Sequence, residues 1–176
     1  YFAQRRALWP YLAAVRRMFL EADVFVFTLG LTEAWRSRRE GSIIPTAPGV
    51  IGGAFDPGLY EFVNFGVSEV DADLEAFLMA LKAVNPAVKV LLTVSPVPLM
   101  ATYEDRHVLV ATTYSKSVLR VVAEMATARH DWVDYFPSYE IITGSPTGGL
   151  YYEPDRREVN ALGVAHAMRC FLDNYT

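Results

Sequence analysis

The sequence predicts an α/β domain built on an open parallel sheet with helices on both faces. Three observations carry this expectation. Helix-length and strand-length segments alternate as helix-strand-helix-strand-helix-strand-helix. The strand segments are continuous apolar runs, as in parallel strands covered on both sides. The three longest loops, Gly30–Phe65, Ser95–His107 and Pro137–Asn160, each leave the end of a strand segment, which is where such sheets gather their ligands.

Each element has its own signal. Leu8, Leu12, Val15 and Phe19 step by four, three and four, one face of an amphipathic helix, with Pro10 tolerable near its first turn. Val24–Leu29 is an apolar run ending at Gly30, which lets the backbone turn, and it reads as a strand buried on both faces. Glu33 to about Phe65 reads as a long irregular stretch, rich in Gly and Pro (Pro45, Pro48, Gly49, Gly52, Gly53, Pro57, Gly58), of the kind that forms lids and functional loops. Ser68 with Asp71 resembles a capping box, followed by Leu74, Phe77, Leu78, Leu81 and Val84 at helical spacing, until Asn85-Pro86 ends the helix. Val88–Ser95 is the second strand, broken by Pro96 and Pro98. A third helix covers about Val108–Ala128, with Val118, Leu119, Val122, Met125 and Ala126 on its stripe. Trp132–Phe136 is a short strand stopped by Pro137, and Asn160 is placed to cap a last helix over about Ala161–Asn174, whose stripe is Val164, Met168 and Phe171.

The 176 residues are 52% hydrophobic and 20% charged, enough apolar material for one core and too much for a disordered chain. A net charge of -4 argues against a basic nucleic-acid surface; the pairs Arg5-Arg6, Arg16-Arg17 and Arg38-Arg39 read as solvated faces. No apolar run approaches the ~20 residues of a membrane helix, and no secretory leader is visible, so a cytoplasmic location is the default. The lone Cys170 excludes an intrachain disulfide and reads as a small hydrophobe. No dinucleotide or phosphate-loop motif is present and the three histidines lack metal-ligand spacing, so neither a cofactor nor a metal is expected. Asp71, Asp73 and Glu75 suit the first turns of a helix facing water.

The chemistry-bearing segments lie at the strand ends: Thr28-Leu-Gly-Leu-Thr-Glu-Ala-Trp35, Thr93-Val-Ser-Pro-Val-Pro-Leu99 and Tyr135-Phe-Pro-Ser-Tyr-Glu-Ile141. With Asn85-Pro86 and Tyr114-Ser-Lys-Ser-Val-Leu-Arg120 between them, these blocks resemble, in order from about Ala22 to Phe171, the GSCFA domain family, relatives of the SGNH (GDSL-like) hydrolases. The resemblance implies a flavodoxin-like three-layer sandwich of the SGNH type. It also implies a nucleophilic serine in a Gly-Ser-Cys-Phe-Ala block, which this sequence does not contain. The chain, which starts with Tyr rather than Met, is therefore expected to be a single partial domain over 1–176, lacking its N-terminal strand and nucleophile block.

The resemblance further implies site residues. Gly30 and Thr32 stand where SGNH relatives carry a Gly-x-Asn oxyanion element, a hydroxyl replacing the amide. Glu33, Trp35 and Ser95 are placed to shape the substrate pocket. Asp155 matches the aspartate of an Asp-x-x-His element whose histidine position is Glu158. A glutamate base needs its pKa raised by burial or like charge. His107, at the end of the second loop, and His166, about 200° around the last helix from Val164, compete to replace the missing imidazole, against the bland alternative of surface histidines. His130 suits a helix C-terminus.

Two functions are expected from these residues. The first is a serine esterase or acyltransferase acting, in the full-length protein, on an ester such as an acylated carbohydrate; the isolated 176 residues would be inactive and marginally stable. The second is a non-catalytic module that keeps the fold and binds a glycan or a protein. The acyl group, the acceptor and the oligomeric state are not encoded in any motif.

Overall fold

The computed structural model describes residues 2–44, 46–50 and 54–175, with backbone alone over 2–9. Pro45, Gly52 and Gly53, and the side chains of Arg5, Arg6 and Leu8, lie outside the described residues. Helix α1 (Phe2–Glu21) leads into strand β1 (Val24–Leu29). A small antiparallel sheet follows, formed by β2 (Glu33–Ser37), β3 (Ile43–Ile44) and β4 (Tyr60–Asn64) in the order β3-β2-β4. Then come α2 (Val67–Val84), β5 (Lys89–Val94), α3 (Val108–Arg129), β6 (Val133–Tyr135), the short α4 (Ser138–Thr143), a 3-10 turn (Ser145–Thr147) and α5 (Ala161–Tyr175). The main sheet is parallel throughout, in the order β1-β5-β6. The α/β fold with a parallel sheet thus matches the expectation from sequence. Among the described residues, no helix is long and apolar enough to cross a membrane.

The sheet has two unlike faces. Phe25, Phe27, Val90, Leu92, Val94 and Val133 share one face by register. There they pack with Leu74, Leu78 and Leu81 of α2 and Leu119, Val122 and Ala126 of α3 in the main core. The end of α1 joins this side: Phe19 stacks on Phe25 at 5.4 Å, and Phe77 of α2 meets both Phe25 and Phe27. Asn85 fastens the corner, its amide donating to the Phe19 and Ala22 carbonyls at 3.2 and 2.9 Å, so it closes α1 as well as ending α2. On the other face, α4 reaches β5 through a hydroxyl contact between Ser138 and Thr93, and α5 packs beside it through Phe136, Phe171 and Tyr175.

Several local expectations are corrected. β5 is buried on both faces, but β1 is not: Val24 and Val26 are 54% and 53% exposed, because no described helix covers that side of the strand. The Glu33–Phe65 stretch is not irregular; Glu33–Ser37 pairs with Tyr60–Asn64 across a long connection that local periodicity does not reveal. Pro10 lies well inside α1, where it removes one helical donor. Helix α2 starts one residue before Ser68, and the Glu69 carboxylate accepts the Gly66 N–H at 2.9 Å. Asp71 and Glu75 do not simply face water: they bind Arg129, and Glu75 also meets His130 at 2.9 Å. The inward face of α5 holds Gly163, His166 and Phe171, while Val164 and Met168 are half-exposed. The reason is Tyr151, which lies against Gly163, closer than any side chain there would allow, and meets His166 Nδ1 at 2.6 Å.

Candidate active site at the strand ends

The loops at the carboxyl ends of β1 and β5 are tied to one another around Thr32, which is 1% exposed, and the loop after β6 is tied in turn to the β5 loop. Its N–H donates to Ser115 Oγ at 2.8 Å, its hydroxyl to Asn64 Oδ1 at 2.7 Å, and its carbonyl accepts the Phe65 N–H at 3.0 Å. The chain of bonds continues outward. Asn64 Nδ2 donates to Glu104 Oε1 at 3.0 Å, and Arg106 pairs with Glu104 at 2.9 Å. The Asn64 bond is the first cause, and Arg106 a lesser one, that holds the Glu104 carboxyl below its ordinary pKa. Glu33 adds a second tie, accepting from the Thr102 hydroxyl at 2.6 Å. Tyr152, from the loop after β6, donates its hydroxyl to the Pro96 carbonyl at 2.8 Å.

Under this rim lies Lys116, 1% exposed, whose ammonium donates to the Gly30 carbonyl at 2.8 Å. Burial lowers its pKa to about 8. In a trans peptide the carbonyl and the following N–H point in opposite directions. Holding the Gly30 carbonyl toward α3 therefore turns the Leu31 N–H away from α3. Gly30 itself has no positive φ, and a Cβ there would meet nothing within 4 Å. The turn does not need a glycine; the position leaves the backbone bare at the rim.

The other residues singled out from sequence are distributed as follows. Ser95 donates its N–H to the Leu29 carbonyl at 2.9 Å and accepts the Val97 N–H on its hydroxyl at 3.2 Å. Trp35 sits on β2 among Phe55, Phe62 and Tyr103. His107 caps α3, its Nδ1 accepting the Leu109 N–H at 3.2 Å. Asp155 accepts the Arg157 and Glu158 N–H groups at 2.8 and 3.1 Å, and these backbone bonds hold its carboxyl below the ordinary pKa. Glu158 is exposed; its N–H goes to Asp155 and its carbonyl accepts the Glu153 N–H. The structure brings Gly30, Thr32, Glu33 and Ser95 to one rim. Among the described residues, no side-chain hydrogen bond joins His107 to Asp155 or Glu158.

Sequence reasoning missed Ser115, Lys116, Asn64 and Glu104 as parts of this rim. For Lys116 a signal exists: it shares the buried phase of α3 with Leu119 and Ala123, three and seven residues on, where a cation is out of place unless it has a partner. Asn64 and Glu104 carry no such mark, because their pairing is long-range. Among the described residues, no three His, Cys, Asp or Glu side chains gather as a metal-binding group.

Fold and rim together define a parallel α/β domain organised to present groups at the carboxyl ends of its strands. The chain belongs to the GSCFA family, whose family model matches residues 5–171. No curated protein and no solved structure matches the chain.

Proposed function

We propose that residues 1–176 are the later part of an SGNH-like serine esterase or acyltransferase domain whose nucleophile comes from a segment preceding Tyr1, and that the substrate is an acylated carbohydrate. The observation that supports this reading best is the joining of the first two strand-end loops around Thr32 and of the third to the second through Tyr152, with the Gly30–Leu31 peptide aimed by Lys116. A rigid, bonded rim is what an acyl-transfer site needs, since donors must be in place before charge develops on the substrate oxygen. Thr32 spends its hydroxyl hydrogen on Asn64, so the donor this reading assigns is the Leu31 N–H, and Thr32 organises the turn that presents it.

In this mechanism the serine oxygen attacks the acyl carbonyl, its proton passes to a base, and the tetrahedral oxyanion takes the rim N–H. Collapse expels the sugar hydroxyl, which recovers the proton. Water or a second hydroxyl then releases the acyl group by the same steps. For the base, Glu158 and His107 both stand as candidates: His107 Nδ1 is engaged as a helix cap, and Glu158 is exposed, without the burial a glutamate base needs. Gly30, Ser95, Glu33 and Trp35 line the approach. No organic cofactor or metal enters these steps.

Full-length protein is expected to react with a serine-directed fluorophosphonate and to cleave aryl acetates and acetylated sugars, with one of Glu158→Gln and His107→Gln, whichever removes the base, slowing turnover at least about a hundredfold. Absence of both labelling and cleavage would overturn the proposal. A second reading, a glycan-binding module without catalysis, draws on Asp155, whose carboxylate is spent on backbone N–H groups rather than on a base. Saccharide binding by protein that neither labels nor turns over would select it.

A further inference from the structure

We infer that the cavity between the small antiparallel sheet and the loop after β5 is a carbohydrate subsite, in which a pyranose ring lies on the Trp35–Tyr103 aromatic wall and donates a hydroxyl to Glu33. The inference deepens the proposed function and rests on it only for which group reacts. The cavity measures about 620 Å³, inside the range of roughly 300–1,000 Å³ typical of small-molecule sites.

Its chemistry narrows the ligand. One wall is aromatic: Trp35 stands edge-on to Phe55, Phe62 and Tyr103, with ring centroids 5.2, 5.7 and 4.9 Å away. Rings packed this closely leave no gap between their faces, so they form a surface and not a cage for an organic cation. Tyr103 and Phe55 remain 63% and 41% exposed, presenting apolar area to whatever enters. Ile44, Pro48 and Val50 face the cavity as well.

Among the described residues, Glu33 is the only charged side chain lining the cavity. Its oxygens accept from the Thr102 hydroxyl at 2.6 Å and the Tyr103 N–H at 3.4 Å. A carboxylate has about four acceptor sites, so acceptor capacity remains for a ligand. An ionised carboxylate in the wall disfavours a hydrocarbon tail, which would strip water from it without replacing the hydrogen bonds. It also repels a fatty carboxylate. A sugar satisfies both halves of the site, with C–H faces for the rings and hydroxyl donors for the carboxylate.

Position links the cavity to the rim. Glu33 follows Thr32 directly, and Thr102 and Tyr103 belong to the same loop as Glu104, which closes the Thr32–Asn64 chain. A ring seated against Trp35 and held by Glu33 therefore lies one residue from the organised turn.

The test is a titration of the full-length protein with cellotriose and chitotriose, and separately with octanoate and choline, followed by calorimetry and by the indole N–H signals. The chain has three tryptophans, and Trp35→Phe identifies the signal belonging to the cavity. We expect at least one trisaccharide to bind saturably in the millimolar range or tighter and to shift the Trp35 signal. Tyr103→Ala and Glu33→Gln should each weaken that binding at least about tenfold. Tyr103 is largely exposed and Glu33→Gln keeps the shape, so both variants can be checked for native folding by their spectra. Saturable binding of octanoate or choline at Trp35, or saturation by none of the probes, overturns the inference. Ester turnover without saccharide binding removes this subsite and leaves the proposed function standing. Saccharide binding without turnover supports the subsite and counts against the esterase.

Discussion

At the scale of single residues, Lys116 poses the sharpest energetic question. An ammonium that is 1% exposed and has one backbone carbonyl as its partner gives up hydration that a single hydrogen bond does not restore. The cost appears as a pKa lowered to about 8 by burial. What the residue gives in return is orientation, because its bond to the Gly30 carbonyl sets which way the next N–H points. The pH dependence has a definite sign. The unfolded chain holds this proton up to the ordinary lysine range and the folded chain releases it near pH 8. Between those values the unfolded state binds more protons, so this group's contribution to stability rises with pH. Tyr135, Tyr152 and Tyr175, whose pKa values burial raises, act oppositely once unfolded tyrosines ionise, which closes the window near pH 10. Urea midpoints of wild type are therefore expected to gain, between pH 7 and about pH 9.5, relative to those of Lys116→Met. Equal pH slopes in the two proteins would refute this account of Lys116.

Helix α3 is the element that turns a sheet edge into a site. Ser115 and Lys116 hold Thr32 and Gly30; one turn later Arg120 binds Glu140 and lies over the Tyr135 ring at 4.2 Å; at the far end Arg129 binds Asp71 and Glu75. A single helix thus joins the strand-end rim to α4 on one flank and to α2 on the other. Ser115→Ala leaves the buried Thr32 N–H without its acceptor, and such a donor costs about 1–3 kcal/mol. Chemical denaturation should show that loss, whereas Thr113→Ala, on the exposed side with only a bond back to Leu109, should stay within about 0.5 kcal/mol. A loss in Ser115→Ala no greater than in Thr113→Ala would mean that water replaces the serine. The same helix shows what was legible in the sequence. The bounds of α2, α3 and β5 are readable to within a residue or two because burial imposes period and length on a contiguous stretch. The pairing of β2 with β4 and the inward face of α5 are not readable. Each is decided by residues distant in the chain, β4 in one case and Tyr151 in the other. The candidate site divides in the same way. Strand ends announce the loops, so Gly30, Thr32, Glu33 and Ser95 stand out, but no local pattern says that Asn64 and Glu104 complete their bonding.

At the scale of the whole molecule, the free side of β1 governs behaviour. The bonds from Lys89 N–H to the Asp23 carbonyl and from Ser95 N–H to the Leu29 carbonyl show which way the strand faces β5. By alternation, Val24, Val26 and Thr28 direct their N–H and C=O groups to the opposite, open edge. The same residues carry their side chains on the face no described helix covers, and Val24 and Val26 are each more than half exposed. An edge that combines free backbone groups with apolar side chains is a template for another strand. If the proposed upstream segment supplies that strand, the Val24, Val26 and Thr28 amides of the full-length protein will exchange hydrogen slowly, at rates like those of the β5 amides. In residues 1–176 expressed alone they will exchange fast or become protected only by self-association, which rises with concentration. Val26→Lys separates the two cases: it places a charge on the open face without touching the β5 pairing, so it should reduce association of the 1–176 fragment measured by light scattering. In the full-length protein it should leave the pairing of β1 intact and destabilise only as far as the upstream segment also covers that face. Fast exchange of all three amides in the full-length protein would show that nothing pairs with β1, and would remove the route by which an upstream serine reaches the rim.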